Sequence, residues 1–145
     1  MSPHRVYSVV AMAAEIAEAC RVYYAADDAR NWTEAHLLGL ELMRLERAER
    51  DIAPTSNADA AQKLRNVAKD VRIDPGPGGE CLVRSALRLA ATIERGDVTP
   101  RILHSLRALM PTALRHDSET YNNSGTTAKA LMHAINWCGR LSLVR

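Results

Sequence analysis

The stretch Val71–Gly96, VRIDPGPGGECLVRSALRLAATIERG, sets a glycine-rich loop directly ahead of a helical pattern, and its reading decides between a nucleotide-binding α/β fold and an all-helical one. A phosphate cradle aims consecutive backbone N–H groups at an anion, with a helix N-terminus behind them and a lysine and a hydroxyl completing the contacts. Here Glu80 follows Gly79 where Gly-Lys-Ser/Thr would stand, so a negative charge occupies the docking position. The dinucleotide pattern fails as well: its third glycine is missing, and only Val71-Arg72-Ile73 is strand-like ahead of it. Pro75 and Pro77 suit an extended connector. Glu80 sits favourably on the dipole of the helix that follows. The loop is a linker between helices.

Beyond it, Leu82, Ala86, Leu89 and Ile93 recur at helical spacing, widened by Val83, Leu87 and Ala90, with Arg84, Arg88 and Arg95 opposite. The same period runs outward in both directions. A second helix is expected over Trp32–Ile52, capped by Asn31. In its first half, WTEAHLLGLELM, apolar residues lie on nearly every side, which places that half centrally; RLERAERD, with Glu46 and Arg50 as an i,i+4 pair, belongs at the surface. A third, capped by Ser56 or Asn57, runs to Arg72 with Ala61, Leu64, Ala68 and Val71 inward. Gly96 as helix stop, Thr99 as cap and Pro100 as first-turn residue start a fifth, with Ile102, Leu106, Leu109 and Met110 inward. Pro111 ends or kinks it. RHDSETYNNSGTT is polar and reads as a mobile loop. The last helix, Thr126–Leu141, is apolar on two neighbouring faces, Ala128, Leu131, Ile135 and Cys138 on one and Ala130, Ala134, Trp137 and Leu141 on the other.

The expected fold is therefore all-α, a single helical domain over residues 1–145 built as a bundle of five or six helices. Composition agrees: 47% hydrophobic and 25% charged residues sit at the globular average, and Ala and Leu outnumber the β-branched residues. No apolar run approaches the roughly 18 residues that a membrane span requires. Arg5, a short apolar run and Ala11-Met12-Ala13 resemble a signal-peptidase site, but the apolar spacing continues undisturbed through Ile16, Ala17 and Cys20, as in one intact helix. Cys20, Cys81 and Cys138 are widely spaced and read as small buried hydrophobes in a reducing compartment. The expected location is cytoplasmic.

No residue pattern assigns a reaction. In helical bundles, Glu-x-x-His pairs project two metal ligands inward together. Here the residues three before His36, His104, His116 and His133 are Thr33, Arg101, Ala113 and Ala130, and there is no H-E-x-x-H or zinc-type Cys/His spacing. The pairs Glu15/Glu18 and Glu46/Glu49 fall on faces expected to be wet, and no G-x-S-x-G elbow occurs. His133 lies among apolar neighbours, where a backbone partner serves it better than a ligand role. The expectation is a non-catalytic chain with no cofactor and no metal.

Two features bear on partners. AATIERGDVTPRILHSLRAL, Ala90–Leu109, is helix, glycine turn and capped helix; it resembles the helix-turn-helix pattern of DNA-binding proteins, with Gly96 in the turn and Ile102 at the buried position six later. The resemblance implies a recognition helix presenting Arg101, His104, Ser105 and Arg107, with Arg84, Arg88 and Arg115 near phosphates. It departs from the pattern at Thr92, where a smaller residue is usual, and at Pro111, which shortens the helix. Residues 81–145 carry 9 basic and 4 acidic side chains against 10 and 13 in residues 1–80, yet the whole-chain net charge is only +2, which weighs against a high-affinity nucleic-acid surface.

The second feature is the first helix, expected over Pro3–Ala26. Val6, Ala13 and Cys20 repeat at one heptad position and Val9, Ile16 and Tyr23 at another, with Ala17 and Tyr24 beside them. Small residues midway admit a second helix, and tyrosines at the end suit an interface. These eight residues are the candidate homodimer seam, with packing on Leu38, Leu42 and Leu45 inside one chain as the alternative, and the chain reads as a self-associating interaction module.

Overall fold

The computed structural model describes residues 8–120 and 125–144. All regular structure among them is helical: α1 (Val9–Asp28), α2 (Trp32–Asp51), α3 (Asn57–Ile73), α4 (Gly79–Glu94), α5 (Pro100–Ala108), α6 (Met110–Glu119) and α7 (Thr126–Val144). Helices α5 and α6 form one run broken at Leu109, two residues before Pro111, so the protein is all-α with six helices, one of them kinked. The chain divides into two units, Met1–Ile52 and Ala53–Arg145.

The N-terminal unit is a helical hairpin. Ser8 caps α1, its hydroxyl accepting from the Ala11 N–H at 3.0 Å, so the helix begins at Val9 and not at Pro3; Val6 and the rest of residues 1–7 lie outside the described residues. Arg30, with φ 57°, turns the chain, and the Asn31 side chain caps α2. The two helices pack along each other. Gly39 permits close approach: a Cβ there would stand 3.3 Å from the ring of Tyr23.

The C-terminal unit is organised around α3, which packs on both α4 and α7. Ala60, Ala61, Leu64, Val67, Ala68 and Val71 are all buried, and the alanines let two neighbours come close at once. Ser56 caps the helix from 3.0 Å, and Trp137 of α7 donates its indole N–H to Asn57 Oδ1 at 2.8 Å. In α4, Leu82, Ala86, Leu89 and Ile93 form the expected buried arc, with Arg84, Arg88 and Arg95 exposed. Gly96, with φ 88°, stops that helix, and Val98 fills the core before Thr99 caps α5 by accepting from the Ile102 N–H. The glycine-rich connector turns through Gly76 and Gly78, with φ of 58° and 79°.

Two expectations change here. Arg115–Glu119 is helical where a loop was expected, because Asp117 is recruited from afar. Its carboxylate accepts from the backbone N–H groups of Thr127 and Ala128 at 3.1 and 2.8 Å, capping α7 and holding α6 in place. Cys81 is exposed, whereas Cys20 is half-buried and Cys138 buried; all three are free thiols. Burial pushes the Cys138 thiol up to about 11.

Candidate interaction surface

The decisive departure from the sequence reading lies in α2. Its first half, expected to be central, is the part left open: Trp32 is 62% exposed, Leu37 61%, Leu40 51% and Met43 49%. The second half, expected at the surface, supplies two of the helix's three buried residues, Leu45 and Glu49, the third being Ala35. Along a 3.6-residue period, Trp32, His36, Leu40 and Met43 share one face. Together with Tyr23 and Gly39 they line a shallow groove. Tyr24 stands beside it, 60% exposed, its ring edge-on to that of Tyr23 at 5.2 Å between centroids.

The residues of the expected seam divide between two faces of α1. Val9 is buried, and Ile16, Cys20 and Tyr23 are half-buried; Tyr23 lies against Gly39 of α2, so part of the stripe is spent inside the hairpin. Ala17 and Tyr24 face outward, Ala13 is half-buried between the two sides, and Val6 lies outside the described residues. One position over, Val10 is also exposed. Val10, Ala17 and Tyr24 are separated by seven residues each, so the outward face keeps a heptad register of its own. Arg21, four residues after Ala17 and three before Tyr24, lies on that outward face and pairs with Glu18 beside it; on α2 Glu41 pairs with Arg44, both pairs three residues apart and exposed. The Arg21 and Arg44 guanidiniums hold those two carboxyls below their ordinary range. The expected Glu46–Arg50 pair does not form, whereas Glu41–Arg44 does.

The residues of the helix-turn-helix resemblance are placed differently. Arg101 and His104 are exposed on α5, while Ser105 is half-buried and donates its hydroxyl to the Arg101 carbonyl at 3.1 Å. Arg107 lies on another side, lining a groove with residues of α7. Helix α5 packs more extensively on α7 than on α4, its partner in the resemblance. Ile102 is half-buried, not buried.

Sequence reading missed Trp32, His36, Leu40 and Met43 as surface residues. The signal was present in another form: a helix apolar on nearly every side belongs in a core, and composition does not say whether one chain or two build that core. Among the described residues no three His, Cys, Asp or Glu side chains gather as a metal site, and no helix is long and apolar enough to cross a membrane. No family model, no curated protein and no solved structure matches this chain.

Proposed function

We propose that this chain is a non-catalytic interaction module, located in the cytoplasm, that self-associates through its N-terminal hairpin. One observation carries the reading: of the nine large hydrophobic side chains exposed among the described residues, six (Val10, Tyr24, Trp32, Leu37, Leu40 and Met43) lie on α1 and α2. Scattered exposed apolar residues are ordinary, but a concentration of them on one helical hairpin is how an interface is built. A second copy is the occupant that fits. A two-fold contact lays the same face on itself, so the heptad register of Val10, Ala17 and Tyr24 meets its own repeat, with Ala17 small enough to admit a helix. The product is a four-helix arrangement of two hairpins.

Sedimentation of the wild-type chain tests this. A dimer is expected at about 50 µM, dissociating on dilution. A monomer throughout the accessible range overturns the reading.

A further inference from the structure

The C-terminal unit holds a second concavity, independent of the hairpin: a groove of about 680 Å³ between α5 and α7, lined by Leu103, Arg107, Ile135, Asn136, Arg140 and neighbouring small residues. Its floor is apolar, since Leu103 and Ile135 are both almost fully buried. Its rim is cationic and polar, with Arg107, Asn136 and Arg140 all exposed. The volume lies in the range of small-molecule sites, which combine an apolar bed with a few orienting polar groups.

Charge selects the ligand. The sequences of α5 and α7, PRILHSLRA and TTAKALMHAINWCGRLSLV, contain Arg101, Arg107, Lys129 and Arg140 and not one carboxylate. No acidic residue lines the groove, and neither Arg107 nor Arg140 has an ion-pair partner among the described residues. Elsewhere in the unit Arg65 engages Glu94 and Arg95 engages Asp97. Arg140 instead lies over the Trp137 ring at 5.8 Å from its centroid, and that ring is fixed by its bond to Asn57. The guanidinium is thereby held at the rim with its donors unspent.

Two further details concern room and hydrogen bonding. Gly139, within α7 and lining the groove, has nothing within 4 Å of the place a Cβ would take. A glycine inside a helix costs stability, and no neighbour in the fold requires this one, so its effect is to keep the groove open. Ser142, in the same wall, holds its hydroxyl away from water with no hydrogen-bond partner.

We propose that the α5–α7 groove binds a small organic anion, its oxyanion head held by Arg107 and Arg140 and a short apolar body lying on Leu103 and Ile135. A carboxylate and a phosphate monoester share this chemistry. The test is titration of the full-length wild-type protein, followed through the Gly139 amide and the Trp137 indole N–H by NMR. Hexanoate and hexyl phosphate are the two probes, and the tighter of them identifies the head group. A Kd on the order of 0.1 to 1 mM is expected for at least one, given a ligand of so few atoms. Arg107→Ala with Arg140→Ala should weaken it by about tenfold or more without lowering the melting temperature, both side chains being exposed. Arg107→Lys with Arg140→Lys should retain part of the affinity.

Three results would overturn the proposal. The first is no shift at these resonances up to about 10 mM probe, well beyond the expected Kd. The second is binding unchanged in the double alanine variant. The third is inorganic phosphate or duplex DNA moving the same resonances at lower concentration than either alkyl probe, which removes the apolar bed from the recognition.

Discussion

Replacing Leu40 and Met43 by glutamate separates an intermolecular face from a core. About half of each side chain is already covered within the hairpin, the exposed fractions being 51% and 49%. Covering the remainder stabilises by about 1 kcal/mol per side chain, half the value for burying a whole Leu or Met. A two-fold interface contains each residue twice, so the double substitution removes about 4 kcal/mol of association energy, or roughly a thousandfold in Kd. Charge repulsion across the seam adds to that loss. The isolated chain should lose little, because a glutamate at a half-exposed helical position keeps its carboxylate in water. Sedimentation equilibrium reads the first effect; urea unfolding at a dilution where both proteins are monomeric reads the second. The reasoning fails if the variant still dimerises with wild-type affinity. It fails equally if the monomer is destabilised by several kcal/mol, because the face would then be core.

Substitutions at four further positions probe the C-terminal unit. Asp117→Ala leaves the Thr127 and Ala128 N–H groups without their carboxylate and should cost about 2 kcal/mol in urea unfolding, with Asp117→Asn recovering part of it. Cys138 should resist alkylation in the native protein while exposed Cys81 reacts readily. Because burial raises the folded-state pKa of the Cys138 thiol from 9.0 to about 11, its contribution to stability is intact below pH 9 and is lost as the pH rises through that interval, where the unfolded chain ionises first. The stability advantage of wild type over Cys138→Ala should therefore shrink by roughly 2 kcal/mol between pH 8 and 11, and a constant difference would refute the assignment. Gly139→Ala should stabilise by about 0.5–1 kcal/mol, as a helical glycine facing open space. Gly79→Ala should destabilise by about 1–3 kcal/mol, because its Cβ would meet that of Pro75 at 2.8 Å.

The elements were legible in the sequence wherever the determinant is local. Ser56, Thr99 with Pro100, and Gly96 mark helix ends through bonds made within a few residues, and the period of Leu82, Ala86, Leu89 and Ile93 fixes a buried face by itself. What stayed illegible depends on distant partners. RHDSE reads as a loop because nothing within it favours a helix; its order comes from Asp117 reaching the start of α7. Helix α3 shows an inward face in the sequence but not its central place, which depends on its alanines letting it stand between α4 and α7. In α1 the stripe was visible but its division was not: Val9, Ile16 and Tyr23 face one way and Val10, Ala17 and Tyr24 the other, and both triplets obey the same heptad. The α5–α7 groove left no sequence signal, since Arg107 and Arg140 are brought together only by helix packing.

The contrast between the two units carries a last consequence. Twenty buried residues form the core of the C-terminal unit, whereas α1 and α2 bury only Val9, Met12, Ala35 and Leu45 as apolar side chains. Fixing the backbone costs about 1–2 kcal/mol per residue, and helices gain most of their stability from packing an apolar face. Four such side chains, one of them an alanine, offset little of the cost of ordering two helices of 20 residues. The lowest local stability is therefore expected in the hairpin, and in the proposed dimer a second copy covering Trp32, Leu37, Leu40 and Met43 would contribute what its own chain lacks. If the proposed dimer forms, ordering and association are one equilibrium, and amide hydrogen exchange should depend on protein concentration in α1 and α2 and not in α3 or α4. Dilution through the dimer dissociation constant should speed exchange across the hairpin by at least about tenfold, the equivalent of 1.4 kcal/mol of lost local stability. Hairpin amides equally protected in the dissociated monomer would show that α1 and α2 stand without a partner, and the link between order and self-association would be broken.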